Sequence, residues 1–475
     1  MITAIEPGVP PSQARFNVRY IWMVSTVAAL GGLLFGYDWV VIGGAKPFFE
    51  RYFHLTNAAQ SGWANSCALI GCLVGALVAG ALSDRFGRKR LLLLSAFLFA
   101  LTSIGNALAS NFTVFVTWRI LGGVAIGLAS NLSPMYIAEV APAHLRGRLV
   151  AVNQLTIVVG ILAAQIVNWI IAVRLPCEGV ADVEAARAAW NVASGWRWMF
   201  TAVTVPSILF FAGALFVPES PRWLLTSGAR EQARGVLARI GGEDYAAAET
   251  AEIERTLSRT GAGTSELRLL LEPRVKAVVL VGVALAVLQQ WSGINSIFNY
   301  AEEIFRSAGY GIGDIMFNIV ITGAINLAFT LVAIGMVDRI GRRTLMLIGC
   351  AGIGVSHVLL GGAYAAGMKG LPVLVFTLCS LGAYALSLAP VTWVLIAEIF
   401  PNRVRGAAVS VAVSALWAAC FVLTFAFPLL QRTAGIAVTF WIYAAICFAG
   451  FFFVRAKVPE TKGRTLEQIE SDLRL

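Results

Sequence analysis

The stretch Leu288-Gln289-Gln290-Trp291-Ser292-Gly293-Ile294-Asn295-Ser296-Ile297-Phe298-Asn299-Tyr300 carries amides and hydroxyls directly after an apolar run, Val275 to Val287. On a straight helix Gln289, Ser292, Ser296 and Asn299 share one face. Neutral polar groups at membrane depth are costly unless they meet a partner, so they face a bundle interior or a wet cavity. Donors and acceptors without charge suit a ligand made of hydroxyls. Gly293 gives the helix a place to bend or unwind beside that ligand. A second reading keeps the same amides as glue between helices.

Two charges sit in apolar surroundings. Asp38 lies in Gly36-Tyr37-Asp38-Trp39, and Arg119 opens the long apolar part of another run. An isolated carboxylate at that depth costs on the order of 3 kcal/mol, so it must be protonated, paired or wet. A carboxyl beside a cation keeps its charge, and an unpaired buried one takes up a proton. A carrier that parts and rejoins Asp38 and Arg119 therefore takes up and releases one proton per cycle. A fixed structural ion pair is the competing reading. Trp393 and Trp417 lie mid-run rather than at interfaces, where tryptophan concentrates. Each offers an aromatic face to the C–H face of a sugar ring, or simply fills the core. Asn326 and Gln154 are further lone amides in apolar runs.

The elements that must position these groups are membrane helices. The chain has 475 residues, 58% apolar and 13% charged, against roughly 25% charged in a soluble domain. Twelve apolar segments lie near 21–44, 61–82, 91–109, 113–135, 149–172, 197–217, 275–300, 315–336, 344–365, 371–396, 407–428 and 436–455. Each is long enough to cross a bilayer. The reading is an all-α integral membrane protein: a six-helix half over 1–217, a helical linker over 218–273, a second six-helix half over 274–456 and a tail over 457–475. The net charge of +10 comes from short loops between apolar runs, which argues against a nucleic-acid partner. Arg85, Arg88, Lys89, Arg90, Arg146, Arg148, Arg339, Arg342, Arg343, Arg403 and Arg405 fall in alternate loops, so both termini and the linker are expected in the cytoplasm of an inner (cytoplasmic) membrane.

The halves repeat one another. Gly80-x-x-x-Asp84-Arg85-Phe86-Gly87-Arg88-Lys89 recurs as Gly335-x-Val337-Asp338-Arg339-Ile340-Gly341-Arg342-Arg343, and Tyr136-Ile137-Ala138-Glu139 with Arg146 recurs as Leu395-Ile396-Ala397-Glu398 with Arg405. Two unrelated motifs recurring at nearly one offset mark duplicated halves, the build of an alternating-access carrier with its site between the halves. Asp84, Arg88, Glu139, Arg146, Asp338, Arg342, Glu398 and Arg405 are expected to form ion pairs at helix ends that hold one conformation closed, besides signalling topology. Each surface pair is worth about 1 kcal/mol or less.

No phosphate-binding lysine loop, dinucleotide turn or nucleophile triad is present, so an enzyme is not expected. The seven cysteines and three histidines lack ligand spacing, so neither a metal nor any other cofactor is expected, and no obligate protein partner is evident.

Gly-Tyr-Asp at 36–38, Asp-Arg-x-Gly-Arg at 84–88 and 338–342, Pro218-Glu219-Ser220-Pro221-Arg222-Trp223-Leu224, Gln289-Gln290-x-Ser-Gly-Ile-Asn295 and Pro459-Glu460-Thr461-Lys462-Gly463 together resemble the sugar porter family of the major facilitator superfamily. The resemblance implies a monosaccharide or polyol held between the halves by Gln154, Gln289, Gln290, Asn295, Asn326, Trp393 and Trp417, with Asn299 alongside. Proton-coupled xylose and hexose symporters of the family are similar in having an acid at the Asp38 position and an arginine at the Arg119 position. Facilitative glucose transporters have a neutral residue at the former. The resemblance thus implies proton symport of a pentose or hexose, the alternative being a facilitative sugar or inositol-type uniporter. Asn299 departs from the family, which usually has tyrosine there, and Leu416 stands where the family often has an amide.

Overall fold

The computed structural model describes residues 16–173, 183–259, 270, 272–400 and 404–462. A chain in lipid must satisfy its backbone polar groups internally, and the apolar runs do so as helices. Among the described residues twelve spans are long and apolar enough to cross a membrane, judged by length and composition. The first half consists of α1 (Val18–Tyr52), α2 (Ala58–Phe86), α3 (Arg88–Leu108), α4 (Phe112–Val140), α5 (Ala143–Val173) and α6, the span Ala188–Phe216. The short helices α7 (Pro221–Thr226), α8 (Arg230–Gly241) and α9 (Glu243–Arg259) follow. The second half holds α10 (Pro273–Trp291), α11 (Ile294–Ser307), α12 (Ile312–Ile340), α13 (Arg342–Ala365), α14 (Leu371–Leu386), α15 (Leu388–Glu398), α16 (Arg405–Ala434) and α17 (Ile436–Lys457).

Local chemistry sets the helix ends. Asn57 and Asn111 cap α2 and α4, their side-chain oxygens accepting from the amides of Ala59 at 3.0 Å and Val114 at 2.9 Å. Such caps contribute about 1 kcal/mol each. The first span runs past the expected end at 44 and includes Lys46, Glu50 and Arg51. It continues because Lys46 is paired within the protein, so its charge does not force an exit to water.

Two of the runs read as single segments are broken helices. Gly293, at φ +86°, separates α10 from α11, and Ser387, at φ −132° and ψ −86°, separates α14 from α15. Glycine holds the left-handed conformation without the Cβ penalty. A Cβ at Gly293 would also lie 2.5 Å from the Tyr443 ring.

Within the first half, α2 and α4 approach through small residues. A Cβ on Gly123 would meet the Ala68 carbonyl at 1.9 Å, and one on Gly71 the Ile120 carbonyl at 1.9 Å. This close approach lets dispersion stand in for the missing hydrophobic drive between helices in lipid. It also brings Arg119, one turn before Gly123, against α2. The halves meet through α2 on α16, α5 on α12 and α1 on α11.

Candidate functional site

The break at Gly293 re-phases the polar stretch, so its residues do not share one face as expected. The Ser292 hydroxyl donates back to the Gln289 carbonyl at 2.8 Å while its own carbonyl meets His357 Nε2 at 2.8 Å, and the Ser296 hydroxyl turns into the second half to meet the Tyr443 hydroxyl at 3.2 Å. Gln289, Gln290 and Asn295 remain together instead. Gln290 Nε2 donates to Gln289 Oε1 at 2.8 Å, and Asn295 Nδ2 donates to Gln290 Oε1 and approaches Cys420 Sγ at 3.6 Å. All three amides are buried. One helical turn from Cys420, Trp417 packs against Trp39 of α1, with ring centroids 5.8 Å apart. Trp417 Nε1 is a buried donor without a hydrogen-bond partner. Gln154 on α5 and Trp393 on α15 are half-buried and Asn326 on α12 is buried. Among the described residues none of these three hydrogen-bonds to the amide cluster.

Asp38 and Arg119 form the ion pair that their types suggested. One guanidinium nitrogen, Nη1, donates to both carboxylate oxygens, at 3.2 and 3.4 Å. Asp38 is 4% exposed and Arg119 2%. The guanidinium lies over the Phe200 ring, 5.5 Å from its centroid. Mutual attraction in a low-dielectric setting holds the pair, and the loss of either partner leaves a buried charge that costs about 3–5 kcal/mol. Asn299 is 3% exposed and borders a cavity of about 10 Å³ beside Arg119, far too small for a sugar ring.

A second charge cluster was missed from the sequence. Lys46 on α1 is 1% exposed and pairs with Glu50 at 3.2 Å and, across the halves, with Glu303 of α11. Its ammonium also stands 5.4 Å from the centre of the Tyr300 ring. Ser61 donates to Glu50, and Glu302 pairs with Arg306. At the same end Arg432 Nη2 donates to the Thr56 carbonyl at 2.7 Å, and Gln165 Nε2 donates to Thr322 Oγ1 at 3.4 Å, both across the halves. The signal available in the sequence was a lysine three residues beyond Gly43, facing two adjacent glutamates just after the Gly-Ile-Asn motif.

At the linker end Arg88 and Arg342 each have a partner in their own half. Arg88 pairs with Asp84 at 3.1 Å and Glu139 at 3.0 Å, and Ser220 also donates to Glu139. Arg342 reaches Glu398 at 3.4 Å. Arg146, expected beside Glu139, is exposed and lies near Glu249 and Tyr245 of α9 instead, because Arg88 already occupies the Glu139 carboxylate. The side chains of Asp338 and Arg405 lie outside the described residues. The structure also supplies a use for Glu219 and Glu460. Glu219 accepts from the amides of Arg88 at 2.9 Å and Lys89 at 3.1 Å, and Glu460 from those of Arg342 at 2.9 Å and Arg343 at 3.1 Å. Each carboxylate caps the positive end of a helix. Gly87 (φ +91°) and Gly341 (φ +100°) precede those helices, and a Cβ there would meet Glu219 at 2.3 Å or Glu460 at 2.6 Å.

The family model described as sugar (and other) transporter matches residues 24–473. The chain is 38% identical to the D-xylose-proton symporter of Escherichia coli (strain K12), over 96% of each sequence. It is 37% identical to the arabinose-proton symporter of Bacillus subtilis (strain 168), over 98% of each. The solved structure of the Escherichia coli xylose transporter in a partially occluded inward-open conformation matches with a TM-score of 0.82 at 36% identity, over 94% of this chain and 100% of that one. Twelve spans in two repeated halves, a helix broken at a cluster of neutral amides and these matches lead to one conclusion: the chain belongs to the sugar (and other) transporter family of multi-pass membrane carriers.

Proposed function

We propose that this protein carries a monosaccharide, a pentose or hexose, across the membrane by alternating access, together with a proton. The observation that carries the reading is the buried Asp38–Arg119 pair in the same bundle as an uncharged cluster of amides at a helix break. Gln289, Gln290 and Asn295 satisfy one another in the state described. Sugar hydroxyls would replace those bonds nearly one for one, so binding exchanges partners rather than exposing unpaired groups. The unpartnered Trp417 N–H adds a donor, Trp393 a stacking face, and Gln154 and Asn326 amides from two further helices.

The distribution of Lys and Arg orients the linker end toward the cytoplasm. With that orientation the halves are joined at the outer end by Lys46 and Glu303, the closed end that an inward-facing state requires. Protonation of Asp38 removes its hold on Arg119. The pair re-forms when the proton leaves on the inner side, and the membrane potential contributes roughly 2.3 kcal/mol per 100 mV to each charge moved. We assign Asp84, Arg88, Glu139, Arg146, Asp338, Arg342, Glu398 and Arg405, which belong to the linker end, to closing the inner mouth in the outward-facing state.

The test is uptake in proteoliposomes with an inward proton gradient and a panel of labelled xylose, arabinose, glucose, galactose, fructose and inositol. Accumulation above the outside concentration, collapsed by a protonophore, is expected for at least one pentose or hexose. Equilibration unaffected by the protonophore would replace symport with facilitated transport. With Asp38→Asn, uphill uptake is expected to vanish while exchange of sugar for sugar persists.

A further inference from the structure

Three polar groups that the transport scheme leaves idle converge on one point. Arg119 Nε and Asn65 Oδ1 are both buried without a hydrogen-bond partner. Asn65 Nδ2 already donates to the Ser61 carbonyl at 2.9 Å, which leaves the amide oxygen as its free end. Arg119, Asn65 and Asn299 all line the cavity of about 10 Å³, whose remaining wall, Trp39 and Cys72 among it, offers no other amide or charge. A volume near 10–15 Å³ with two to four polar partners is what one water molecule requires. Here the guanidinium donates, the Asn65 oxygen accepts, and the Asn299 amide does either.

The three groups come from different sides of the transport path. Asn65 is on α2 and Arg119 on α4 of the first half, whereas Asn299 is on α11 of the second. The α11 backbone is seated directly on α1, since a Cβ on Gly43 would lie 2.5 Å from the Phe298 carbonyl and 3.5 Å from Asn299 Cα. α11 bends at Tyr300, immediately after Asn299. Asn299 therefore stays beside Arg119 only while the two halves are joined at this end.

We propose that Asn65 and Asn299, through one water in this cavity, bridge Arg119 to the moving half-helix α11, and that this bridge couples the Asp38–Arg119 pair to the position of the halves. The inference rests on the symport reading. Its physical basis is the aim of one guanidinium. With the halves together, the bridge anchors Arg119 Nε and leaves Nη1 aimed at Asp38, which favours the charged pair while the site faces inward. When α11 withdraws, that anchor is lost and the pair loosens. The other ionisable groups facing this point are Cys67 and Cys72 of α2 and Cys420 of α16; α11 brings only the uncharged Asn299.

Asn65 and Asn299 are thus positioning residues, and the measurement separates coupling from transport. Proteoliposomes would compare gradient-driven accumulation with sugar counterflow for the wild type, Asn299→Val, Asn65→Val, the double variant and Asn299→Ser. A lost hydrogen bond to a charged group corresponds to roughly tenfold. Each valine variant is expected to lower the accumulation ratio by about that factor. Counterflow should stay within about twofold for Asn65→Val, which lies outside the sugar contacts, and for Asn299→Val accumulation should fall further than counterflow does. The double variant should do no worse than either single one, because all three break one bridge. Asn299→Ser, which keeps a polar group, should recover part of the ratio. Accumulation unchanged in both valine variants, or loss of counterflow in step with accumulation in Asn65→Val, would overturn the bridge. Should Asn299→Val not reach the membrane, Asn65→Val addresses the same cavity from the other half. A wild type that never accumulates sugar would remove the symport reading first, and that outcome is distinct from a coupled wild type with coupled variants.

Discussion

At one end of the bundle Lys46 reaches out of the first half to Glu303 of the second, while at the other end Arg88 and Arg342 each pair inside their own half. The residue types are the same and the consequence is opposite. A buried pair that crosses the halves contributes stability to a single arrangement of them. A pair within a half, as Arg88 and Arg342 make here, does not by itself favour the joined outer end. The partial exposure of the two ends sharpens the contrast. Lys46 is 1% exposed, whereas the Asp84 carboxylate beside Arg88 is 75% exposed and contributes little. A recess of about 440 Å³ lies over the Lys46 cluster, lined by Glu50, His54, Glu302, Glu303 and Arg306, so water has a route to the latch when it opens.

The sharpest way to break this comparison is Lys46→Met. It strands Glu303 and Glu50 without their cation, at a cost of about 3 kcal/mol to the joined state, or roughly a hundredfold in the equilibrium between states. Thiol labelling of a cysteine placed at Thr322, buried at the joined end, is expected to accelerate by about that factor; an unchanged rate would show that the cross-half pair is no latch. Arg88→Gln is the matched control. It also breaks a largely buried pair, costing about 3 kcal/mol of stability seen as a lower Tm, yet labelling at Thr322 should not accelerate, since closing the inner mouth favours the outward-facing state. Faster labelling here would erase the distinction between the two ends.

Smaller effects test the pseudo-symmetry at the linker end. Glu219→Gln and Glu460→Gln each remove a charged helix cap, worth about 1 kcal/mol. Thermal unfolding should show similar losses for the two, and a large inequality would mean that the caps are not equivalent. The smallest effect concerns Glu249, at the contact between the linker and Arg146. Burial pushes its carboxyl above the usual range, Arg146 pulls it partly back, and Glu252 pushes it up. A raised carboxyl favours the folded state at low pH, and that contribution fades as pH rises through the folded-state value. Glu249→Gln should therefore raise Tm slightly at pH 7.5 and leave it unchanged at pH 4. A gain that is larger at pH 4 would reverse the sign of this account.

Much of the fold was legible because lipid imposes long apolar runs, and the recurrence of Asp-Arg-x-Gly-Arg shows the duplication directly. The Asp38–Arg119 pair was legible for the same reason: two opposite charges in apolar runs have few places to go. The one-face reading of Gln289, Ser292, Ser296 and Asn299 failed because periodicity assumes a continuous helix. A single residue at φ +86° rotates everything after it. The role of Glu219 and Glu460 was also invisible, since each caps a helix more than a hundred residues earlier in the chain.

The sequence by itself determined the twelve spans, the two repeated halves, the uncharged character of the polar stretch and the presence of an acid–base pair at membrane depth. These follow from composition and spacing, which act locally or against the bilayer. Only the tertiary structure decided which amides meet, that Arg146 leaves Glu139 to Arg88, and that the halves are joined through Lys46. It alone brought Asn299 to Arg119. Those outcomes depend on which helices touch in one conformation, and a carrier's sequence must be compatible with more than one.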